Sequence, residues 1–318
     1  MFELYKERDL SANFSDTITF FKSFGKHFFK NFFIINGIFL MILVVLIYFI
    51  SKIYMEVLFS SANNLTNNPD YLFNYLSNNI ILVMGGFIVT FVLIVILSML
   101  NITFPVIYLK LFEETKSDSF TTQQIINELK KNVGKMLLFL LGTAFIIMPL
   151  AFITFGLLVL LCFVLIGFPL LIIVGCAFFS WIMLSYHEYI LNNVGFFKAL
   201  SNGYYLLKLK FWTIVGTTFL MIMLVQTIQG IITIIPYLIA IGSLFVSTQN
   251  LQDSNLQSDS YSTFGIIIAV IMVFSVLLSY VFNNFIVINQ GLIYYSMHEE
   301  TENHTTKNQI DLIGTDLE

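Results

Sequence analysis

The run from Met136 to Tyr186 contains about fifty residues without a single Asp, Glu, Lys or Arg, whereas a helix needs only about 20 mostly apolar residues to cross the hydrocarbon core of a bilayer. The run is therefore too long for one crossing and suits two. Gly167-Phe168-Pro169 is the best turn between them, because glycine and proline favour turns. This feature predicts an integral membrane protein with a helical hairpin at its centre.

The composition of the whole chain points to the same class. Of its 318 residues, 58% are hydrophobic and 11% are charged, whereas a soluble domain carries about 25% charged residues. Cys162 and Cys176 lie within apolar runs, and we interpret them as packing residues and not as a disulfide. Abundant Asn, Ile and Phe, with fourteen lysines against one arginine, favour an AT-rich bacterial genome as the source.

Four further apolar segments bring the expected number of spans to six, with five and seven as the alternatives. These segments are 32–53, 79–100, 212–236 and 264–294. We expect a kink at Pro105 in the second span and an interruption by Gly230 and Pro236 in the fifth. Because about thirty polar or mixed residues precede the first span and no small-residue cleavage site follows it, we expect an uncleaved anchor.

The basic residues predict the orientation of these spans. With a cytoplasmic N-terminus, fourteen of the fifteen Lys and Arg residues fall inside and only Lys52 falls outside. The outer segments 60–78 and 247–262 are polar and nearly uncharged, and we expect external loops there. The sequence therefore predicts a multi-pass protein of the cell inner membrane with cytoplasmic N- and C-termini. Residues 1–297 would form a single membrane domain and residues 298–318 an acidic cytoplasmic tail.

A basic amphipathic segment precedes each odd-numbered span. The three segments are SDTITFFKSFGKHFFKNFF, TTQQIINELKKNVGKMLLF and VGFFKALSNGYYLLKLKFW. In the first, Phe21, Phe24 and Phe28 recur at helical spacing, and Asp16 can cap the start of a helix. Basic aromatic stretches also bind nucleic acid, but no broad basic surface accompanies this one.

The predicted fold class is all-α: a polytopic membrane helix bundle of about six spans in three hairpins. Each hairpin would be preceded by a cytoplasmic interfacial amphipathic helix, and the three phenylalanines would face lipid or the bundle.

The third segment carries a resemblance to a known family. ALSNGYYLLKLKFW resembles a loop of bacterial membrane proteins related to the membrane domain of glycerophosphoryl diester phosphodiesterases, which reads roughly A-L-x-x-S-x-x-L-x-K-G-x-F-W. The matching residues are Ala199, Leu200, Leu206, Lys208, Phe211 and Trp212. Gly203 stands where the family usually has Ser, and Leu209 where it has Gly. The C-terminal QGLIYYSMHEE and QIDLIG resemble Bacteroidota members of this group. The resemblance implies a six-helix membrane domain and no activity, because catalysis in the phosphodiesterases belongs to a separate soluble barrel domain.

Ionisable groups near membrane spans are candidates for function. His187 and Glu188 follow the fourth span, where the pair could relay protons or bind a cation; the alternative is that both lie in the polar interface. Gln226 and Gln229 share one face of the fifth span, and Asn283 and Asn284 lie in the sixth. These four amides could bond across helices or line a polar cavity.

Sequence patterns for catalysis or metal binding are missing. The chain has no phosphate-binding lysine loop, no G-x-S-x-G and no H-E-x-x-H. The four histidines, His27, His187, His298 and His304, form no H-x-x-H or H-x-x-x-H pair, so we expect neither a metal nor another cofactor. We also predict that the protein is not an enzyme.

Two functions remain. The first is a non-enzymatic membrane scaffold or lipid-associated component, with membrane lipids and other membrane proteins as partners and no nucleic acid. The alternative is a small transporter or permease with a polar site between spans five and six.

Overall fold

The computed structural model of the protein describes residues 2–64, 74, 77–249 and 254–302. Within these residues the regular structure is helical throughout. The helices are α1 (Leu10–Asn64), α2 (Ile80–Thr115), α3 (Thr122–Gly142), α4 (Met148–Leu161), α5 (Gly167–Leu191), α6 (Phe196–Leu209), α7 (Phe211–Gln249) and α8 (Ser254–Glu302). A π-helical turn, Thr143–Ile147, joins α3 to α4, and a 3₁₀ turn, Cys162–Val164, follows α4.

Six helical segments in the described part of the chain are long and apolar enough to cross a membrane. They are Leu10–Ser51, Met84–Thr115, Thr122–Leu161, Gly167–Leu191, Phe211–Ile239 and Ile266–Glu302. The predicted all-α, six-span membrane bundle is therefore confirmed, and the chain is a multi-pass integral membrane protein.

The basic segments before the odd-numbered spans differ from one another. The first belongs to α1, a single helix of 55 residues. At 1.5 Å per residue this length far exceeds a hydrocarbon core of about 30 Å. The second begins α3, which continues through the π turn into α4. Only the third forms a helix of its own, α6, so the expected turn from an interfacial helix into a span occurs at one of three places.

The start of α1 lies earlier than Asp16. Asp9 Oδ1 accepts the backbone N–H of Ala12 at 2.7 Å, so Asp9 is the N-terminal cap. The phenylalanine rings face the helix bundle, as expected. Phe28 is fully buried, the Phe21 ring lies 4.0 Å from that of Phe285, and the Phe24 ring lies 4.8 Å from that of Phe112.

The turn between the third and fourth spans lies just before the predicted Gly-Phe-Pro. Leu165 ends the 3₁₀ turn with φ 65°, and α5 begins at Gly167. A Cβ on Gly167 would lie 2.3 Å from the backbone nitrogen of Cys162, so only glycine fits this close approach. Pro169 falls in the first turn of α5, where its missing N–H leaves no bond unmade.

Two further breaks were expected inside spans, a kink at Pro105 and an interruption by Gly230 and Pro236. Both α2 and α7 continue through their prolines, Pro105 and Pro236, so the predicted interruption of the fifth span was wrong. Of the predicted outer loop 247–262, residues 247–249 and 254–262 are helical. In the predicted loop 60–78, residues 60–64 belong to α1, while 65–73, 75 and 76 lie outside the described residues. Residues 298–302 of the predicted tail continue α8, and 303–318 lie outside the described residues.

The chain divides into two compact units. Unit 1 comprises the described parts of Met1–Ile35, Met99–Val225 and Asn283–Glu318. Its central element is the second half of α8, in which every side chain from Ile286 to Met297 is buried. Aromatic rings of α1 pack on α2 and on α8: the Phe28 ring lies 4.9 Å from the Tyr108 ring, and the Phe21 ring lies 4.0 Å from the Phe285 ring.

Unit 2 comprises the described parts of Asn36–Ser98 and Gln226–Phe282. Its buried side chains are mostly aliphatic, among them Leu43, Leu97 and Ile271. Among its described residues, Ser51 Oγ lies 3.6 Å from the sulfur of Met272. The buried polar groups described below belong mostly to unit 1.

Candidate functional site

A group of polar side chains in unit 1 surrounds the buried Glu188, near the end of α5. Its almost completely buried carboxylate lies 2.7 Å from Nε2 of His298 on α8. It also accepts N–H bonds from Asn192 at 3.0 Å and from Asn202 on α6 at 3.1 Å. We call Glu188, Asn192, Asn202, Tyr294 and His298 the Glu188 cluster. One carboxylate thus joins α5, α6 and α8, and its donors offset the cost of burying its charge.

The charge of His298 follows from its two neighbours. Nε2 faces Glu188, and Nδ1 lies 3.0 Å from Oε1 of Glu302. An ionised carboxylate can only accept, so both ring nitrogens donate when both glutamates are ionised, and the ring is then an imidazolium. A cation therefore compensates the buried charge of Glu188.

Tyr294 connects the cluster to His187. The Tyr294 hydroxyl accepts an N–H of Asn192 at 3.1 Å. Its ring lies 4.5 Å from the ring of His298 and stacks against that of His187, at 5.2 Å and 24°. The Tyr294 ring therefore contacts the rings of both His187 and His298.

His187 itself is fixed by packing. Its Nδ1 lies 2.8 Å from the carbonyl oxygen of Met183, so Nδ1 carries the proton and donates. Its Nε2 is buried and has no hydrogen-bond partner among the described residues. A Cβ on Gly291 would lie 3.2 Å from that nitrogen, so the backbone of α8 closely covers it. His187 and Glu188 are neighbours in sequence, but their side chains have different partners.

A second buried charge lies before α1. Arg8 is 1% exposed, and its guanidinium donates to Asp16 at 2.9 Å, to the carbonyl of Leu4 at 2.7 Å and to that of Glu3 at 2.6 Å. Its backbone N–H donates to Ser296 on α8 at 2.9 Å. Burial lowers the pKa of Arg8 below its ordinary value, while the bond to Asp16 opposes that change. The segment before α1 is thereby folded around one side chain and bonded to α8.

Amides of α8 bond to three other helices of unit 1. Asn283 donates to Asn101 of α2 at 2.7 Å, Asn289 to Thr17 of α1 at 2.9 Å, and Gln290 to Thr218 of α7 at 2.8 Å. Asn284 is fully buried on the same helix. In apolar surroundings such bonds hold helices together, at about 0.6–2 kcal/mol each.

The two predicted glutamines of the fifth span belong to unit 2. Gln226 is exposed, and the amide of Gln229 lies 3.4 Å from the backbone carbonyl of Ser275 on α8. The six predicted site residues thus fall into three groups: His187 and Glu188 near the end of α5, Asn283 and Asn284 in α8, and the glutamines in unit 2.

Sequence reasoning missed His298 and Arg8. From the sequence alone, His298 belongs to a polar tail. The mostly apolar run LIYYSM directly before it, however, extends the pattern of the last helix up to this histidine. Arg8, the only arginine, carried a weaker signal: a strongly basic group followed eight residues later by Asp16.

The side chains of the Glu188 cluster are bonded within the cluster. Among the residues that the structure describes, no group of three or more His, Cys, Asp or Glu side chains could hold a metal ion. The groups around Glu188 are amides, a phenol and an imidazole that bond to one another. Two of these bonds join different helices: Glu188 of α5 binds Asn202 of α6 and His298 of α8, which fixes how these helices pack.

Comparison with known proteins gives no relative. No protein-family model matches the chain, and neither a curated protein nor a solved structure matches it.

Proposed function

We propose that this protein is a non-enzymatic scaffold or lipid-associated component of a bacterial inner membrane. The observation that carries the proposal is the bonding of Glu188, Arg8 and Gln290 to side chains of unit 1. Glu188 is bonded to His298, Arg8 to Asp16 and Gln290 to Thr218. Side chains that bond each other in this way serve to fix helix positions.

The alternative of a transporter with a polar site between spans five and six has less support. Asn283 is bonded to Asn101, and Gln226 is exposed among apolar neighbours. Alanine substitution of Gln226, Gln229, Asn283 and Asn284 separates the two functions in a growth or uptake assay. Unchanged behaviour is expected; loss of uptake with the protein still folded would favour the transporter.

Purification tests the scaffold function directly. The full chain, extracted from membranes in a mild detergent, is expected to carry a stable membrane protein partner or bound lipid. The matched control is an unrelated six-span protein of similar size, purified in the same detergent. Recovery of the chain alone and free of lipid would contradict the proposal.

The proposed orientation has cytoplasmic termini, and it is supported by the fourteen basic residues on one side. Exposed Ser23 lies on the proposed inner side and exposed Ser77 on the outer side. In a variant without Cys162 and Cys176, a membrane-impermeant maleimide should label Ser77→Cys in intact cells and Ser23→Cys only after lysis. The reverse pattern would overturn the orientation.

We also propose kinship with the membrane domain of glycerophosphoryl diester phosphodiesterases. The segment that resembles this family spans α6 and the start of α7, with Leu200 and Leu206 buried and Trp212 exposed. The departure from the family at Gly203 has a local reason. A Cβ there would lie 2.6 Å from the backbone nitrogen of Ser185, so a serine does not fit at this helix contact.

A further inference from the structure

The exposed face of α6 is both aromatic and basic. The helix packs on α5 through its buried side, which includes Ala199, Leu200 and Gly203. Its opposite side carries large aromatic rings. These are Phe197, Tyr204 and Tyr205, followed by Trp212 at the start of α7, each at least half exposed, with Trp212 at 71%.

Two lysines share this face. Lys198 and Lys208 are exposed, and Nζ of Lys208 lies 4.9 Å from the centre of the Tyr204 ring, in a cation–π contact. The sequence of α6 has no acidic residue. Lys210, immediately after it, differs because it lies 2.7 Å from Glu300. The charge on the exposed face of α6 is therefore positive and unneutralised among the described residues.

The aromatic and basic face continues into a lipid-facing surface. Beyond Trp212, the exposed side chains of α7 within unit 1 include Leu220 and Met223. Exposed apolar side chains on a membrane-spanning helix contact acyl chains. Since Trp and Tyr prefer the boundary between acyl chains and headgroups, α6 lies at that boundary.

We propose that the exposed face of α6 binds anionic phospholipid headgroups. Lys198 and Lys208 pair with the headgroup phosphates, and the rings of Phe197, Tyr204 and Trp212 contact the upper acyl chains. The occupant is a lipid bilayer surface because the charge is complementary and the apolar surface of α7 is continuous with this face. The inference rests on the proposed lipid-associated function, and it names both the lipid class and the residues.

Trp212 provides the test. The chain has two tryptophans, and the indole of the other, Trp181, donates to the carbonyl of Leu200 at 2.9 Å. The full chain is reconstituted into vesicles of phosphatidylcholine with a minority of brominated lipid, either phosphatidylglycerol or phosphatidylcholine. Brominated chains quench indole fluorescence on contact. The difference between the wild type and Trp212→Phe isolates the Trp212 signal.

We expect brominated phosphatidylglycerol to quench Trp212 more strongly than the same fraction of brominated phosphatidylcholine. Two surface lysines together favour an anionic surface by about 30-fold. Lys198→Gln with Lys208→Gln should therefore reduce the preference by at least about fivefold. The matched control is Lys22→Gln with Lys26→Gln, which removes the same charge from exposed positions on α1 and should keep the preference.

Equal quenching of Trp212 by the two brominated lipids in the wild type would overturn the proposal. It would also be overturned if acrylamide, which quenches from water, quenched Trp212 while neither brominated lipid did. An equal loss of the phosphatidylglycerol preference in the two lysine double variants would show that positive charge acts wherever it lies, without a site on α6. That result would also overturn the proposal. The scaffold proposal fails separately, by recovery of the chain alone and lipid-free after purification.

Discussion

Removal of the Glu188 carboxylate should be one of the most destabilising single changes in unit 1. Glu188→Ala deletes the acceptor of three bonds, from His298, Asn192 and Asn202. Breaking a buried ion pair from one side costs about 3–5 kcal/mol, because the other charge is left without a partner. The His298 side chain is 14% exposed and keeps Glu302, so partial rehydration places the pair near the low end. With the weakened amide bonds, we expect a loss of about 3–4 kcal/mol.

A double-mutant cycle isolates the pair itself. Glu188→Leu leaves His298 with only the half-exposed Glu302 as its partner, and His298→Leu leaves the buried Glu188 without a cation, whereas the double variant removes both members of the pair. We therefore expect the double variant to be more stable than the sum of the single effects predicts, with a coupling energy of at least about 1.5 kcal/mol. The measurement is the free energy of unfolding in detergent micelles, from reversible denaturant titration.

The matched control is an exposed pair in the same unit. Glu113 lies 3.6 Å from Lys116, and both side chains are substantially exposed, so Glu113→Gln should cost less than about 0.5 kcal/mol. A loss below about 1 kcal/mol for Glu188→Ala, or strictly additive effects of the two leucine substitutions, would refute the reasoning that this carboxylate holds three helices together.

Two further substitutions probe packing and the N-terminal segment. Gly203→Ala places a Cβ 2.2 Å from Oγ of Ser185, and we expect a loss of about 3 kcal/mol in detergent melting; Gly134→Ala, with no atom within 4 Å of its new Cβ, should be neutral or slightly stabilising. A loss of equal size at both glycines would contradict this account. Arg8→Met removes the bonds that fold the preceding segment, so residues 2–9 should exchange amide hydrogens faster while α5 keeps its protection. Unchanged exchange in residues 2–9 would show that Arg8 does not hold them.

The spans were predictable because hydropathy acts over about 20 residues and is insensitive to detail. The turn before Gly167 was also predictable, but the breaks before the odd-numbered spans were not, because they depend on tertiary contacts. Gly25 and Gly134 belong to the first and second basic segments, where a turn into the span was expected, yet both lie within continuous helices. The break that does occur is at Lys210, with φ −132° and ψ 55°. No glycine or proline marks it, and Lys210 is instead held by an ion pair with Glu300.

The candidate site was predictable residue by residue but not as an arrangement. The sequence identified Glu188 as an ionisable group near a span end. Its partner His298 lies 110 positions away, so the pairing depends on how α5 and α8 pack. Similarly, Asp16 was expected to cap a helix that begins at Leu10, and it pairs with Arg8 instead. A single sequence cannot show which distant polar groups meet, because many pairings satisfy the same local pattern.

The central position of α8 in unit 1 has a consequence for biosynthesis. Chains emerge from the ribosome N-terminus first, and α8 is the last of the described helices. Asn289 and Gln290 would be costly to leave unbonded in hydrocarbon, but their partners Thr17 and Thr218 lie on helices made earlier. When α8 reaches the insertion machinery, its acceptors are thus already in the membrane. Until then, the side chains of α1 and α7 that bond to α8, Thr17 and Thr218 among them, lack these partners.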